Sequence, residues 1–106
     1  MPDARITVPA SVPRGKPFEV RIIVRHPMET GYRTDESGKS IPRNVIRSLT
    51  CRYNGEVVFS ARLSSGIAAN PYLRFFVTAK ESGQLAFEWV DDAGARGTDG
   101  ATLTVA

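Results

Sequence analysis

A chain of 106 residues, with 42% hydrophobic and 24% charged side chains, reads as one domain over 1–106 with a single core. That composition is ordinary for a globular protein and suggests neither disorder nor a disulfide scaffold, and the lone cysteine, Cys51, excludes an internal disulfide. The net charge of +3 is carried by 11 arginines and 3 lysines interspersed with acidic residues, so no nucleic-acid partner is expected, and no apolar run approaches a membrane span.

The opening segment, MPDARITVPASVPRGKP, lacks the apolar core of a secretory signal. This points to a cytoplasmic protein or to export by a route other than its own signal. Arg5 to Val8 alternates as a short strand, with Ile6 and Val8 on one face. Pro9 to Pro17 holds three prolines and Gly15 and reads as turn or edge material. Phe18, Val20, Ile22 and Val24 then alternate with Glu19, Arg21, Ile23 and Arg25, the pattern of a half-buried strand. His26 falls on the inward parity at its end. The stretch HPMETGYRTDESGKSIP, residues 26–42, follows and is neither strand nor helix. Running 16 residues past His26, it exceeds the usual loop length, which marks a functional or disordered segment.

A strand is expected from about Asn44 to Tyr53, with Val45, Leu49 and Cys51 on one face and Ile46, Ser48, Thr50 and Arg52 on the other. Asn54-Gly55 signals a hairpin. A two-residue loop would set Cys51 against Val58 and Leu49 against Ser60, splitting the apolar faces. A three-residue loop, Tyr53-Asn54-Gly55 with Gly55 left-handed, sets Cys51 against Val57 and Leu49 against Phe59, and this bulged turn is the expectation. Ser64 to Pro71 reads as a second loop. Tyr72 to Ala79 reads as a strand with Leu73, Phe75, Val77 and Ala79 inward, and Leu85, Phe87 and Trp89 face inward on the next. Asp92-Ala93-Gly94 is a three-residue hairpin loop. The last strand places Ala101, Leu103 and Val105 on the parity of Trp89. Asp99 shares it, either at a bulge or as a satisfied polar group. Seven short strands without a helix define the expected fold: an all-β, immunoglobulin-like antiparallel β-sandwich.

Catalysis would need a nucleophile, a base and an orienting group in one constellation. Cys51 lies mid-strand on the inward face, where a thiol behaves as a small hydrophobe. His26 is a lone histidine at a strand end and reads as a hydrogen-bonded structural group. Glu29, Asp35 and Glu36 near it match no ligand spacing of zinc or calcium sites. Asp91-Asp92 reads as turn chemistry. No catalytic, cofactor-binding or metal residues are therefore expected, and the chain does not read as an enzyme. Met28, Tyr32 and Arg33 in the long loop, with Asn70, Pro71 and Tyr72 at the second, are the expected interface residues, since Tyr, Arg and Met are favoured at protein interfaces.

HPMETGYRTDESGKSIP, with Asn54-Gly55, NPYLRF from Asn70 and WVDDAGARGTD from Trp89, closely resembles the SoxZ family of sulfur-oxidation proteins. The resemblance covers nearly all of the chain from Val20 onward. It implies a heterodimer with SoxY, which carries sulfur intermediates of thiosulfate oxidation on a cysteine in a glycine-flanked C-terminal arm. This chain ends GTDGATLTVA, so the resemblance implies the Z partner and gives Cys51 no carrier role. It also implies transient contacts with other sulfur-oxidation enzymes, and a periplasmic location reached by co-export with the signal-bearing partner. Self-association of the isolated chain is a further expectation. The alternative reading is a small catalytic or metal-binding module acting on a sulfur substrate through His26 and the nearby carboxylates.

Overall fold

Period-two alternation governs the computed structural model, which describes residues 4–64 and 66–106. Ser65, in the expected second loop, and the first three residues of the opening segment lie outside the described residues. β1 (Ala4–Thr7), β2 (Pro17–Val24), β3 (Ile46–Tyr53), β4 (Glu56–Arg62), β5 (Tyr72–Thr78), β6 (Gly83–Asp91) and β7 (Arg96–Leu103) are the seven strands among the described residues, which include no helix. They form two sheets in the orders β1-β2-β5 and β4-β3-β6-β7, with every ladder antiparallel. The sheets face each other as the expected sandwich.

The inward parities meet between the sheets. Val20 and Ile22 from β2 pack with Leu49 and Cys51 from β3, Leu85 and Phe87 from β6, and Leu103 from β7, all buried. Phe59 of β4 and Phe75 of β5 stack across the sandwich with ring centroids 4.0 Å apart. Each such fully buried side chain contributes about 1.5–3 kcal/mol, which offsets the entropy lost in ordering short strands. The Tyr53 hydroxyl takes the backbone N–H groups of Lys80 (3.1 Å) and Glu81 (3.0 Å) and donates to the Glu81 carbonyl, fastening the β5–β6 turn to β3.

Two register expectations are corrected. The β3–β4 turn is a two-residue loop, because Tyr53 pairs with Glu56, and Asn54 (φ 49°) and Gly55 (φ 87°) both adopt the left-handed region that a type I′ turn requires. The bulge sits inside the ladder instead, where Arg52 pairs with Val57 but Cys51 pairs with Phe59. Val58 is the extra residue, and it shifts the register by one. Cys51 thereby meets Phe59 and Leu49 meets Ala61, so the apolar faces are reunited by a mid-strand bulge and not by the turn. A second irregularity lies at the start of β3, where Ile46 pairs with Asp91 and Ser48 with Val90. It leaves Arg47 as the extra residue and brings Ile46 into the core beside Val45, against the expectation that these two take opposite faces.

The three-residue loop Asp92-Ala93-Gly94 is present, with Gly94 at φ 85° and the Asp91 N–H bonded to Ala95 O at 3.0 Å. Asp99 stands in regular register opposite Phe87, half-buried, and accepts the Gly100 N–H at 2.8 Å. It is the satisfied polar group, not a bulge.

Candidate functional site

The two expected recognition segments converge at one end of the sandwich, and His26 is where they meet. Its backbone N–H donates to Asn70 Oδ1 (3.1 Å), and the Asn70 N–H returns to the His26 carbonyl (2.8 Å). Asn70 holds a left-handed φ of 54°, a conformation asparagine tolerates better than most residues. One residue later the Pro71 carbonyl takes the Val24 N–H at 3.0 Å, opening the β2–β5 ladder.

The His26 ring is buried, and both of its nitrogens are used. Nδ1 accepts the Met28 N–H at 2.9 Å, so the proton resides on Nε2, which donates to Asp91 Oδ2 at 3.0 Å. That bonding pattern belongs to the neutral imidazole, because protonated Nδ1 has no lone pair for Met28. Burial pushes the Asp91 carboxyl up. Hydrogen bonds from His26, from the Ala95 N–H and from Asn44 outweigh that burial and hold the carboxyl below its ordinary value.

Asp92 secures the far end of the long loop. Its Oδ2 accepts the Val45 N–H at 3.1 Å, Arg43 approaches it at 3.4 Å, and Asn44 Oδ1 takes the Ala93 N–H at 3.2 Å. Asp91 and Asp92 are thus turn residues, as expected, but each also anchors one end of the loop.

Between those anchors the loop is a short irregular hairpin. Glu29 and Asn44 exchange backbone bonds at 2.9 Å, Thr34 bridges to Ser40, and the Ile41 N–H reaches Arg33 O at 2.8 Å. At the tip, Asp35 Oδ1 accepts from the Ser37 N–H (2.9 Å), the Ser37 hydroxyl (2.7 Å) and the Lys39 N–H (3.0 Å). The Ser37 hydroxyl and the backbone donors lower the Asp35 pKa.

The six expected interface residues divide. Tyr32 is 90% exposed on this hairpin, and Arg33 is exposed, pairing with Glu29 at 2.9 Å. Asn70 and Tyr72 are exposed as well. Met28 is not: it is 4% exposed, turned into the core by a φ of 50°, and its Sδ faces the Ile46 N–H at 3.3 Å. Pro71, just before β5, is also buried. Sequence parity could not place them, since a residue within a turn follows no strand alternation.

Cys51 is buried mid-strand, and burial pushes its thiol up to about 11, which keeps it protonated and unreactive. Among the described residues, no group of three or more His, Cys, Asp or Glu side chains converges in a metal-holding arrangement.

These features define an all-β, two-sheet sandwich whose one buried His–Asp pair, among the described residues, is committed to holding a loop. Residues 6–102 match the family model of the sulphur oxidation protein SoxZ, and the chain belongs to the SoxZ family. That membership puts it among the sulfur-oxidation proteins. None of the curated protein sequences compared matches it. Among solved structures, a superoxide reductase (neelaredoxin) from Ignicoccus hospitalis is similar, with TM-score 0.72 at 20% identity over 97% of this chain and 80% of that one. A putative superoxide reductase from Thermotoga maritima aligns with TM-score 0.73 at 14% identity, over 97% of this chain and 85% of that one. The sulfur carrier protein SoxY from Chlorobium limicola f thiosulfatophilum aligns with TM-score 0.67 at 10% identity, over 98% and 79%. At these identities the likeness establishes the fold alone.

Proposed function

We propose that this chain is a non-catalytic subunit that binds SoxY and helps present its cysteine-bearing arm to the enzymes of thiosulfate oxidation. The observation that carries the reading is the bonding of His26. Both ring nitrogens are occupied by the fold, leaving no free base, while the loop they anchor displays Tyr32 and Arg33. Loops fixed to a rigid scaffold are the usual place for recognition. The SoxZ family match supports the choice of partner.

Size-exclusion chromatography of the chain with purified SoxY tests the proposal. A stable heterodimer at micromolar concentration is the expected result. Two separate peaks, or turnover of a sulfur substrate by this chain without SoxY, would overturn it. We also place the subunit in the periplasm, delivered together with its signal-bearing partner. Fractionation of cells expressing the chain with and without SoxY should show periplasmic protein only when both are made.

A further inference from the structure

β5 is an edge strand of the three-stranded sheet, and of the devices that usually protect an edge it has one charged side chain, Arg74. Its seven residues, Tyr72–Thr78, run in unbroken register with β2, without bulge, proline or lysine. β4, the edge of the facing sheet on the same flank, is by contrast bulged at Val58. The Val24 N–H bonds to Pro71 O at 3.0 Å, and the alternation of an antiparallel ladder then directs the backbone groups of Leu73, Phe75 and Val77 toward β2. Those of Tyr72, Arg74, Phe76 and Thr78 lie along the open edge. The side chains of these four residues are exposed too, Tyr72 by 52% and Phe76 by 61%. Beside the edge, a groove of about 450 Å³ opens between the sheets, with Val58 and Phe76 among its walls.

We propose that an extended segment of SoxY adds to the β5 edge, placing a carboxylate side chain opposite Arg74 and apolar side chains beside Tyr72 and Phe76. This rests on the reading of the chain as a SoxY-binding subunit and assigns it a second contact surface beside the Tyr32–Arg33 hairpin. Backbone donors and acceptors at every second residue are what an added strand requires, and its alternate side chains turn toward the groove. Charge selects the occupant. Arg74 stands directly across from Arg21, and both lean on Glu19, which forms an ion pair with Arg21 and lies 3.6 Å from Arg74. Like charges placed opposite each other destabilise a sheet, and one carboxylate between two guanidinium groups leaves this centre positive. An acidic residue on the incoming strand completes it. A second copy of this chain fits worse, because antiparallel β5–β5 pairing centred on Arg74 sets two Arg74 side chains face to face, each beside an Arg21.

Amide hydrogen exchange on the free chain and on its complex with SoxY, together with the variants Arg74→Pro and Phe76→Ser, tests the assignment. Proline at position 74 removes an edge donor and leaves the β2 ladder intact. In the complex, the Arg74 and Phe76 amides should exchange at least tenfold more slowly than in the free chain. Arg74→Pro should weaken SoxY binding at least tenfold at an unchanged melting temperature, and Phe76→Ser, which leaves the backbone untouched, at least fivefold. A complex whose edge amides exchange as fast as in the free chain, with Phe76→Ser binding like the wild type, overturns the edge assignment and leaves the partner reading standing. Edge protection that grows with the concentration of this chain alone overturns it in favour of self-pairing. Failure of the wild-type chain to bind SoxY overturns the partner reading and this assignment with it.

Discussion

At the residue scale, His26 ties three segments that are far apart in sequence. Its ring joins Asp91 on β6 to the Met28 turn, and its backbone joins Asn70. His26→Ala strands the buried Asp91 oxygen and the Met28 N–H, each an unmade hydrogen bond in a buried site. The loss should be about 2–4 kcal/mol in urea unfolding, with the β-sheet circular dichroism signal retained. The Asp91 carboxyl has a definite pH signature. Its pKa is lowered by folding, so its contribution is fully present above the unfolded value and is lost as pH falls through the folded one. Stability of the wild type should therefore drop as pH falls below about 4, and Asp91→Asn should flatten that part of the profile. Parity alone put His26 inward. It could not supply Asp91, because a strand pattern says which face a residue takes and nothing about what stands opposite.

At the scale of elements, the strands follow from their alternation, whereas the two bulges do not. The need to reunite Cys51 and Leu49 with the apolar residues of β4 was legible in the sequence, and so was the fact that a plain two-residue hairpin fails to do it. Its remedy, Val58 pushed out of the ladder, depends on the left-handed pair Asn54-Gly55 taking the type I′ turn first. On β7, Gly97 lies under the Trp89 ring, where an added Cβ would fall 2.2 Å from the indole atoms. Gly97→Ala must displace a buried ring, and we expect a loss of about 1–3 kcal/mol, read as a lower urea midpoint with the slope unchanged.

For the whole molecule, shape and surface chemistry bear on partner binding. The molecule is elongated, 57 Å by 23 Å by 20 Å, and its His26 end carries the anchored hairpin. Tyr32 is almost fully exposed, and Arg33, itself exposed, forms an ion pair at 2.9 Å with the half-buried Glu29, a contact worth about 1 kcal/mol. The double variant Tyr32→Ala/Arg33→Ala should keep its melting temperature within about 3 °C by calorimetry while SoxY affinity falls about tenfold by titration. A large drop in melting temperature with unchanged affinity would make the two residues structural.

The sequence by itself determined the strand count, the faces of β2, β5 and β6, the Asp92-Ala93-Gly94 turn and the family, because period two and turn chemistry are local properties. It also singled out the 26–42 stretch as the unusual segment. Only the tertiary structure decided that this stretch is a hairpin pinned at both ends, that Met28 and Pro71 are buried, and that β5 is left as an open edge. Those outcomes depend on which strands become neighbours, and that choice is made when the two sheets close over a shared core.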